Sequence, residues 1–455
     1  MSELPEGWAV SSLNNLIALN PKNDCADETE IGFVPMQLLG TQYKSKIGFE
    51  RKKWGEVKKG YTHFADGDVL LAKITPCFEN GKAGLVSGLP NGLGTGSTEY
   101  FVCRPHPDVL LPEYLLAFFK TQDFLRNGEV EMTGSVGHKR VPKDYLLQSA
   151  IPLPPLNEQK RIAAKLDALL QRVDACRVHL ERVPLLLKRF RQAVLAAATS
   201  GQLTEDWQEG ESEWNEATID EISELISGFA FKSEWFKSNG KHQVVKIANV
   251  KEGYLDLKAA PAFITYDLAK EYERFQAWPQ DILISMTGTK YKQDYGFVGL
   301  AQPGMNIWVN QRVSIIRAKE GQINPEFLFL FLRSQEFRQQ FFKGETGQVN
   351  QGNVGSNHIK SCQVRFPSML KQAEIVRRVE TLFAYADRLE ARYQQARAEV
   401  ERLTPALLAK AFRGELVPQD PNDEPASVLL EQLQAERAMI TAKPKQRAAS
   451  LNGKR

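Results

Sequence analysis

Positive charge is concentrated in one short stretch near the N-terminus. Residues 44–59, KSKIGFERKKWGEVKK, carry seven Lys or Arg against two Glu, with Trp54 and Tyr61 close to the cations. Because lysine and arginine neutralise phosphates, the stretch predicts contacts with a nucleic-acid backbone. A solvated charged loop is the alternative interpretation. The candidate phosphate-binding residues are Arg51, Lys52, Lys53, Lys58 and Lys59.

Two glycine-containing loops carry different polar side chains in corresponding positions. They are TGSVGHKRVP, residues 133–142, and TGQVNQGNVGSN, residues 346–357. Arginine suits guanine O6 and N7 and side-chain amides can bridge adenine N6 and N7, so the loops are candidates for contacting different bases. Turn formation by Asn and Gly is the competing explanation. The candidates are His138, Lys139 and Arg140 in the first loop, and Gln348, Asn350, Gln351 and Asn353 in the second.

Two further segments add positive charge. The segment TGTKYKQDYG, residues 287–296, offers Lys290, Tyr291 and Lys292 as candidate contacts. The last 19 residues, from Arg437, carry six basic residues and no acidic one. For that tail, a solubilising terminus is favoured over a binding role.

Motifs for catalysis are lacking. An adenine methyltransferase would need a glycine-rich cofactor loop and an Asn-Pro-Pro-aromatic or Asp-Pro-Pro-aromatic motif, and only NPEF at residue 324 comes close. No GxxxxGK[ST] motif is present, and the six histidines do not cluster with cysteines or carboxylates at zinc spacing. Asp66 and Asp68 precede a predicted strand and suit a turn. The sequence therefore predicts no catalytic residue and no metal site.

Composition bounds the class of protein. The 455 residues allow two or three domains, and 42% hydrophobic with 25% charged residues is ordinary for a globular protein. The net charge of +3 alone does not argue for nucleic acid. The sequence contains no apolar run long enough to span a membrane and no signal peptide at its start. Five scattered cysteines suggest reduced thiols, so we expect a cytoplasmic protein.

The chain repeats itself with an offset of 213 residues. Gln159 matches Gln372, Asp68 matches Asp281, and the offset also aligns Pro112-Glu113-Tyr114 with Pro325-Glu326-Phe327. One offset maintained over such a distance indicates two copies of one unit of about 200 residues.

Each copy ends in a helix whose apolar residues alternate in steps of four and three. A rhythm of 3.5 residues indicates a coiled-coil seam, and Gly201 and Gly414 follow as C-caps. Pro184 interrupts the first seam and predicts a kink. The first seam is Ile162, Leu166, Leu169, Val173, Cys176, Leu180, Val183, Leu187, Phe190 and Val194. The second is Ile375, Val379, Leu382, Ala386, Leu389, Tyr393, Ala396, Val400, Leu403 and Leu407.

The remainder of each copy predicts a mixed α+β domain. Short β-rich runs such as DVLLAKI and EYFVCRP are punctuated by glycine, and the segments that begin PEYLL and PEFLF predict short amphipathic helices. The predicted boundaries are 1–155 for the first domain, 156–204 for the first long helix, 205–213 for a linker, 214–368 for the second domain, 369–414 for the second long helix and 415–455 for a C-terminal segment.

Two similar helices in one chain can pair with each other. The symmetric solution is an antiparallel pair related by a pseudo-twofold axis, in which the helices would fix the distance between two binding domains. A passive stalk that carries two enzymatic or adhesive domains is the alternative.

Several motifs resemble one known family. LPEGW at the start, PPLNEQKRIAAKLDALL from residue 154, AEIVRRVETLFAYAD from residue 373 and LLAKAFRGELVPQDPNDEP from residue 407 are similar to the specificity subunit of type I restriction-modification systems. The two-copy layout matches as well. The segment RFPSMLKQAEI departs from the pattern, because it lacks the double proline and the Glu of PPLNEQ.

The resemblance implies a non-catalytic, sequence-specific DNA-binding subunit. Each domain would recognise one half of a bipartite, asymmetric double-stranded target, and the helices would set the unread spacer. Two methyltransferase subunits and translocating restriction subunits would be partners. S-adenosylmethionine, ATP and Mg would be bound by those partners and not by this chain. The alternatives are a coiled-coil scaffold that does not bind DNA and, with less support, a self-contained DNA methyltransferase.

Overall fold

The structure divides into two compact units. It is a computed structural model that describes residues 4–43, 45–207, 213–290, 292–347 and 350–442. Unit 1 contains Met1–Leu180 with Gln395–Arg455, and unit 2 contains Glu181–Gln394. Each unit therefore holds one globular domain and a part of both long helices.

The first domain, residues 9–153, is built from ten short strands and five short helices. Its strands are β1 (Ala9–Ser12), β2 (Ile17–Leu19), β3 (Glu30–Val34), β4 (Glu50–Lys53), β5 (Thr62–Ala65), β6 (Val69–Ala72), β7 (Ala83–Leu85), β8 (Leu93–Gly96), β9 (Tyr100–Pro105) and β10 (Ala150–Leu153). Its helices are α1 (Leu13–Leu16), α2 (Trp54–Val57), α3 (Pro112–Phe119), α4 (Gln122–Val130) and α5 (Lys143–Gln148). The long helix α6 (Leu156–Ser200) follows.

The second domain, residues 215–366, has the same kind of composition. Its strands are β11 (Asn215–Thr218), β12 (Ser223–Ser227), β13 (His242–Val245), β14 (Val250–Lys251), β15 (Tyr254–Leu255), β16 (Phe263–Ile264), β17 (Gln276–Ala277), β18 (Ile282–Ser285), β19 (Thr287–Gly288), β20 (Val298–Leu300), β21 (Ile307–Val309), β22 (Val313–Ala318), β23 (Glu345–Thr346), β24 (Gly352–Val354) and β25 (Gln363–Phe366). Its helices are α7 (Ile219–Ile222), α8 (Tyr266–Glu271), α9 (Pro325–Leu332), α10 (Gln335–Lys343) and α11 (Ser356–Ser361). The long helix α12 (Met369–Phe412) and helix α13 (Ala426–Ala442) follow.

The two domains share one sheet topology. The strand orders are β2-β9-β6-β7 and β4-β3-β8-β5 in the first domain, and β12-β22-β18-β20 and β16-β13-β21-β17 in the second. One pair in each domain is parallel, β3 with β8 and β13 with β21. The first and last strands of each domain, β1 with β10 and β11 with β25, form an antiparallel pair. The expected fold class, two similar mixed α/β domains, is confirmed.

A buried ion pair recurs at the same place in both domains. Asp68 is 1% exposed and pairs through both oxygens with Arg104, at 2.7 and 2.8 Å. Asp281 repeats the geometry with Arg317, at 2.9 and 2.7 Å. Each Asp also accepts the backbone N–H three residues earlier at 2.7 Å, and Asp66 accepts two backbone hydrogen bonds. These carboxylates therefore fix the turns before β6 and β18 and have structural roles.

The two segments predicted as single short helices are each split in two. Helix α3 ends at Phe119 and α4 begins at Gln122, because the Thr121 hydroxyl accepts the backbone N–H of Phe124 as an N-cap. Ser334 caps α10 in the same way in the second domain. A Ser or Thr flanked by helical residues favours a new helix start at that position.

The two long helices run for 45 and 44 residues and lie within the expected ranges 156–204 and 369–414. Each contains a proline, Pro184 in α6 and Pro405 in α12, within an uninterrupted helical assignment. Gly201 and Gly414 follow with φ of 89° and 74°, the left-handed conformation of a glycine C-cap.

Within unit 1, the first part of α6 packs against the last part of α12. Leu166 shares the core of the first domain with Leu408, and the Arg177 guanidinium donates to the Thr404 hydroxyl at 3.1 Å. Because an early segment of one helix lies beside a late segment of the other, the helices are antiparallel there.

Within unit 2, the last part of α6 packs against the first part of α12. Val194 shares the core of the second domain with Ile375, and Arg191 pairs with Asp387 and Glu390 at 2.7 and 2.8 Å. The expected antiparallel pairing of the long helices is confirmed. The predicted seam is wrong at two positions: Leu403 is 44% exposed, and Cys176 is exposed as well.

Several seam residues belong to the domain cores. Ile162 and Leu166 are fully buried in the core of the first domain, and Ile375 and Val379 lie in that of the second. The heptad pattern therefore describes the middle of each helix, while the ends anchor the domains.

One glutamine in each long helix attaches that helix to its domain. Gln159 is 0% exposed; its Oε1 accepts the Leu111 N–H at 2.8 Å, and its Nε2 donates to the carbonyls of Val109 and Pro154 at 2.9 and 3.1 Å. Gln372 is the equivalent residue in unit 2. Its Oε1 accepts the Asn324 N–H at 2.8 Å, and its Nε2 donates to the Pro367 carbonyl at 2.8 Å. The proline-rich strand end and the helix start are joined by this amide.

The C-terminal segment completes unit 1. Ala426, Leu429 and Leu433 of α13 are buried in the first domain's core. Glu158 accepts hydrogen bonds from the Trp8 indole at 3.0 Å and from the Gln419 amide at 3.3 Å, and burial raises the pKa of its carboxyl. Among the described residues, no helix is long and apolar enough to cross a membrane.

Candidate nucleic-acid interface

Within the predicted basic stretch, Arg51, Lys52 and Lys53 belong to the edge strand β4, and Lys58 and Lys59 follow helix α2. In the register of β3 and β4, Glu30 lies opposite Lys53 and Gly32 opposite Arg51. Arg51 pairs with Glu30, Lys53 with Glu28 at 2.6 Å and Lys58 with Asp27 at 2.6 Å. Three of the five candidate cations are therefore paired with an acidic segment that ends in β3.

The other two cations have different surroundings. Lys52 lies 4.1 Å from the Phe33 ring centroid and 3.3 Å from Glu50, whereas Lys59 is exposed and forms no ion pair with any described residue. Trp54 is 2% exposed and belongs to the core beneath the strand, so it offers no surface for stacking. Exposed ion pairs contribute little free energy, so a phosphate can compete for these cations.

The two polar loops occupy equivalent positions. In the first domain, the backbone of Arg140 forms β-bridges with Ile74 and Thr133. In the second domain, Asn353 of β24 pairs in the same way with Thr287 and Thr346. The offset of 213 holds for each of these residues, so Arg140 and Asn353 are structural counterparts.

The side chain of Arg140 is engaged by a carboxylate. Its guanidinium donates to both Glu99 oxygens at 3.0 and 2.8 Å, which holds the pKa of the Glu99 carboxyl below its ordinary value. His138 and Lys139 are exposed, and the His138 carbonyl accepts a further hydrogen bond from Arg140 at 3.2 Å. Lys139 and His138 are thus the more available groups of this loop.

In the second domain the candidate residues are partly described. Asn350 adopts a φ of 73°, which favours a turn, and Gln351 is exposed beside it. Lys290 is half-buried and Lys292 is exposed. Gln348 and Tyr291 lie outside the described residues.

Sequence analysis missed one residue at this surface. Arg312 corresponds to Glu99 by the offset of 213, is exposed, and forms no ion pair in the described part of the chain. The Arg312 carbonyl accepts the Met286 N–H at 3.0 Å, and the Met286 carbonyl accepts the Val354 N–H at 3.0 Å, so Met286 links Arg312 to strand β24. The repeat alignment was the signal that could have identified it.

Among the described residues, potential metal ligands are scattered and the Cys103 and Cys362 thiols are buried. No group of three or more His, Cys, Asp or Glu side chains there could hold a metal ion. Burial raises the pKa of the Cys362 thiol to about 11 and that of Cys103 further still, so neither thiol is poised as a nucleophile.

The chain holds two copies of a mixed α/β domain, and both are joined to long antiparallel helices. Their equivalent loops bear different cations and amides. This arrangement is that of a protein with two nucleic-acid-binding domains. The chain belongs to the family described as the type I restriction modification DNA specificity domain, whose model matches residues 5–180 and 211–400.

Relatives and solved structures agree with this assignment. The chain is 33% identical to the EcoKI specificity subunit of Escherichia coli strain K12, over 98% of this chain and 99% of that protein. It is 30% identical to the EcoAI specificity subunit of Escherichia coli, over 90% and 83%.

The fold is also similar to that of two solved proteins. One comes from work on complex assembly and conformational transition of a type I R-M system, with a TM-score of 0.70, 20% identity, and coverage of 91% of this chain and 100% of that chain. The other is the HsdS subunit from Thermoanaerobacter tengcongensis, with a TM-score of 0.59, 20% identity, and coverage of 91% and 98%. The expected family, its role in DNA recognition and the non-catalytic nature of the subunit are confirmed.

Proposed function

We propose that each domain recognises one half of a bipartite, asymmetric double-stranded DNA target, and that helices α6 and α12 set the unread spacer. The observation that carries this proposal is that the two domains share a buried ion pair and strand pairings, while their equivalent loops carry different polar side chains. The Asp68–Arg104 and Asp281–Arg317 pairs repeat in position and geometry, whereas the equivalent loops carry Arg140 and Asn353. Two domains of one fold with different polar groups suit two unlike half-sites.

Base contacts in the first domain come from His138, Lys139 and Arg140, and phosphate contacts from strand β4. Arg140 must exchange Glu99 for a base edge or present the remaining face of its guanidinium. Glu99 therefore tunes which base this loop accepts.

Base contacts in the second domain come from amides. Asn353 is held in strand β24, while Asn350 and Gln351 lie in the turn before it. Arg312, which Met286 links to strand β24, adds a guanidinium, and Lys290 and Lys292 supply charge for the backbone. Gln348 and Tyr291 belong to the same proposal on the strength of the sequence alone.

The partners that we propose are two methyltransferase subunits and the restriction subunits, which bind S-adenosylmethionine, ATP and Mg. Exposed apolar side chains on the long helices support docking of other subunits: Val178 and Leu403 in unit 1 are 49% and 44% exposed, and Leu185, Leu186 and Tyr385 in unit 2 are 53%, 58% and 51% exposed. We propose that the assembly is cytoplasmic. We also propose that the two recognition domains span residues 1–155 and 214–368, as expected from the sequence.

Domain exchange with methylome sequencing tests the proposal. Residues 1–150 are replaced by the first domain of another family member, and in a second variant residues 210–368 are replaced by another second domain. Each exchange is expected to change one half of the methylated sequence and leave the other half and the spacer intact. A change of both halves by either exchange would refute independent recognition.

A further inference from the structure

A positively charged cleft lies within unit 2, between the second domain and helix α6. Its volume is about 480 Å³. Lys188 and Gln192 line it from one face of α6, Lys292 from the loop after β19, and Arg338 from helix α10. Glu252 is the carboxylate of the lining. The cleft thus combines groups from a recognition domain and from a long helix.

Arg338 is fixed in place by packing. Its guanidinium lies between the rings of Phe297 and Phe342, with 5.1 and 5.0 Å to the ring centroids. It donates to the carbonyls of Tyr295 and Gln293 at 3.2 and 2.8 Å. Because an arginine keeps its charge even when partly buried, the cleft holds a permanent and pre-oriented cation.

The charges of the cleft do not balance. Three cations face one carboxylate, and Glu252 already accepts a hydrogen bond from Gln192 at 3.2 Å. Neither Lys188 nor Lys292 forms an ion pair with a described residue. A site with a net charge of about +2 and side-chain amides attracts a phosphate-bearing ligand.

The position of the cleft selects its occupant. Lys292 belongs to the loop that follows β19, and β19 pairs with β24, the strand that carries Asn353. The cleft therefore adjoins the loops that we assign to base contacts, where a DNA backbone must pass. We propose that the cleft binds backbone phosphates flanking the second half-site, and that Lys188 makes helix α6 a direct DNA contact. This inference rests on the proposed recognition function and extends it from the domains to the helix.

The first unit lacks the same charges. With the offset of 213, Lys188 corresponds to Glu401 and Arg338 to Leu125. Glu401 pairs with Arg397 at 3.1 Å in that unit. These two cations are thus replaced by a carboxylate and an apolar side chain, so the phosphate contact is expected at the second half-site alone.

Salt-dependent binding of the assembled methyltransferase complex tests the contact. Lys188→Ala is compared with Arg189→Ala, which removes the same charge from the next residue of α6, outside the cleft. Each phosphate contact contributes a slope of about −0.9 to log K against log salt, so Lys188→Ala should reduce the slope by about 0.9. At 0.1 M salt this corresponds to about an eightfold loss of affinity, equal for target and non-target DNA. Equal slopes for the Lys188 and Arg189 variants would overturn the proposal.

Neutral methylphosphonate linkages locate the phosphate. Substituted one at a time along the target, they should weaken the wild-type complex at one or two positions beside the second half-site. The same linkages should weaken the Lys188→Ala complex less than the wild type, since one of the three cations is already absent. Equal sensitivity of the wild-type and Lys188→Ala complexes at those positions, or a changed base preference in Lys188→Ala, would overturn the contact.

The same experiments separate this inference from the recognition function. If Lys188→Ala lost methyltransferase subunits in size-exclusion chromatography, an acidic partner surface would be the occupant and the proposal would be wrong. Failure of the wild-type complex to distinguish target from non-target DNA would instead refute the proposed function.

Discussion

Replacing Gln159 by alanine should detach the first domain from helix α6. The substitution leaves three buried backbone groups without a partner, the N–H of Leu111 and the carbonyls of Val109 and Pro154. An unsatisfied buried group costs about 1–3 kcal/mol, and water can reach part of this site once the side chain is shortened, so we expect a local cost of about 3 kcal/mol. At about 1.4 kcal/mol per factor of ten, the local opening equilibrium shifts by about 100-fold.

Hydrogen exchange measures this change at the Leu111 amide, which donates its hydrogen bond to the Gln159 Oε1. We expect its exchange to accelerate by about 100-fold in Gln159→Ala. Gln171→Ala is the matched control, because it makes the same substitution at an exposed position of α6. Methylation should lose specificity for the first half-site and retain it for the second. Equal protection of Leu111 in the two variants would refute the role of Gln159.

Four further outcomes are expected. Lys53→Ala should weaken binding to all DNA sequences and lower the salt slope by about one, measured by anisotropy titration; an altered base preference would contradict a phosphate contact. Glu99→Gln should free the adjacent guanidinium and change the preferred base in the first half-site alone, as methylome sequencing would show. Burial lowers the pKa of Lys120 to about 7, whereas the unfolded chain keeps the ordinary value of about 10.5. Between these pH values the unfolded chain binds more protons than the folded chain, so the contribution of Lys120 to the free energy of unfolding rises with pH. Urea titrations should show this gain in the wild type and not in Lys120→Met. One heptad is inserted after Leu180 and another after Gln394, at the borders of the two compact units. Because seven helical residues add about 10.5 Å, the spacer should lengthen by about three base pairs. An unchanged spacer would mean that helix length does not set it.

The repeat made the fold predictable from the sequence. Residues that one offset aligns, such as Asp68 with Asp281 and Gln159 with Gln372, turned out to make the same hydrogen bonds. Their roles depend on local register and on backbone groups, which the repeated pattern preserves. The antiparallel helices were predictable for the same reason, because two equal heptad seams in one chain complement each other.

The surface was less predictable, because its contacts join distant segments. The pairing of Arg51, Lys53 and Lys58 with acidic residues between Asp27 and Glu30 depends on the register of β3 against β4, which composition does not reveal. Exposure of Leu403 within a regular heptad has a similar origin, since the end of α12 packs into the core of the first domain, where Leu408 is buried. Burial at helix ends follows the domain and not the seam.

The distribution of matches and mismatches between the copies explains how one fold can serve two half-sites. The repeated carboxylates and glutamines, Asp68 with Asp281 and Gln159 with Gln372, are buried and hydrogen-bonded, so a change there costs several kcal/mol. The loop positions of Arg140 and Asn353 are supported by the same strand pairings but impose no side-chain chemistry. Selection can therefore alter the bases that a loop accepts without disturbing the strands beneath it. The charges of the cleft beside α6 can vary for the same reason. Lys188 and its counterpart Glu401 lie on exposed helix faces, where either charge is compatible with the fold.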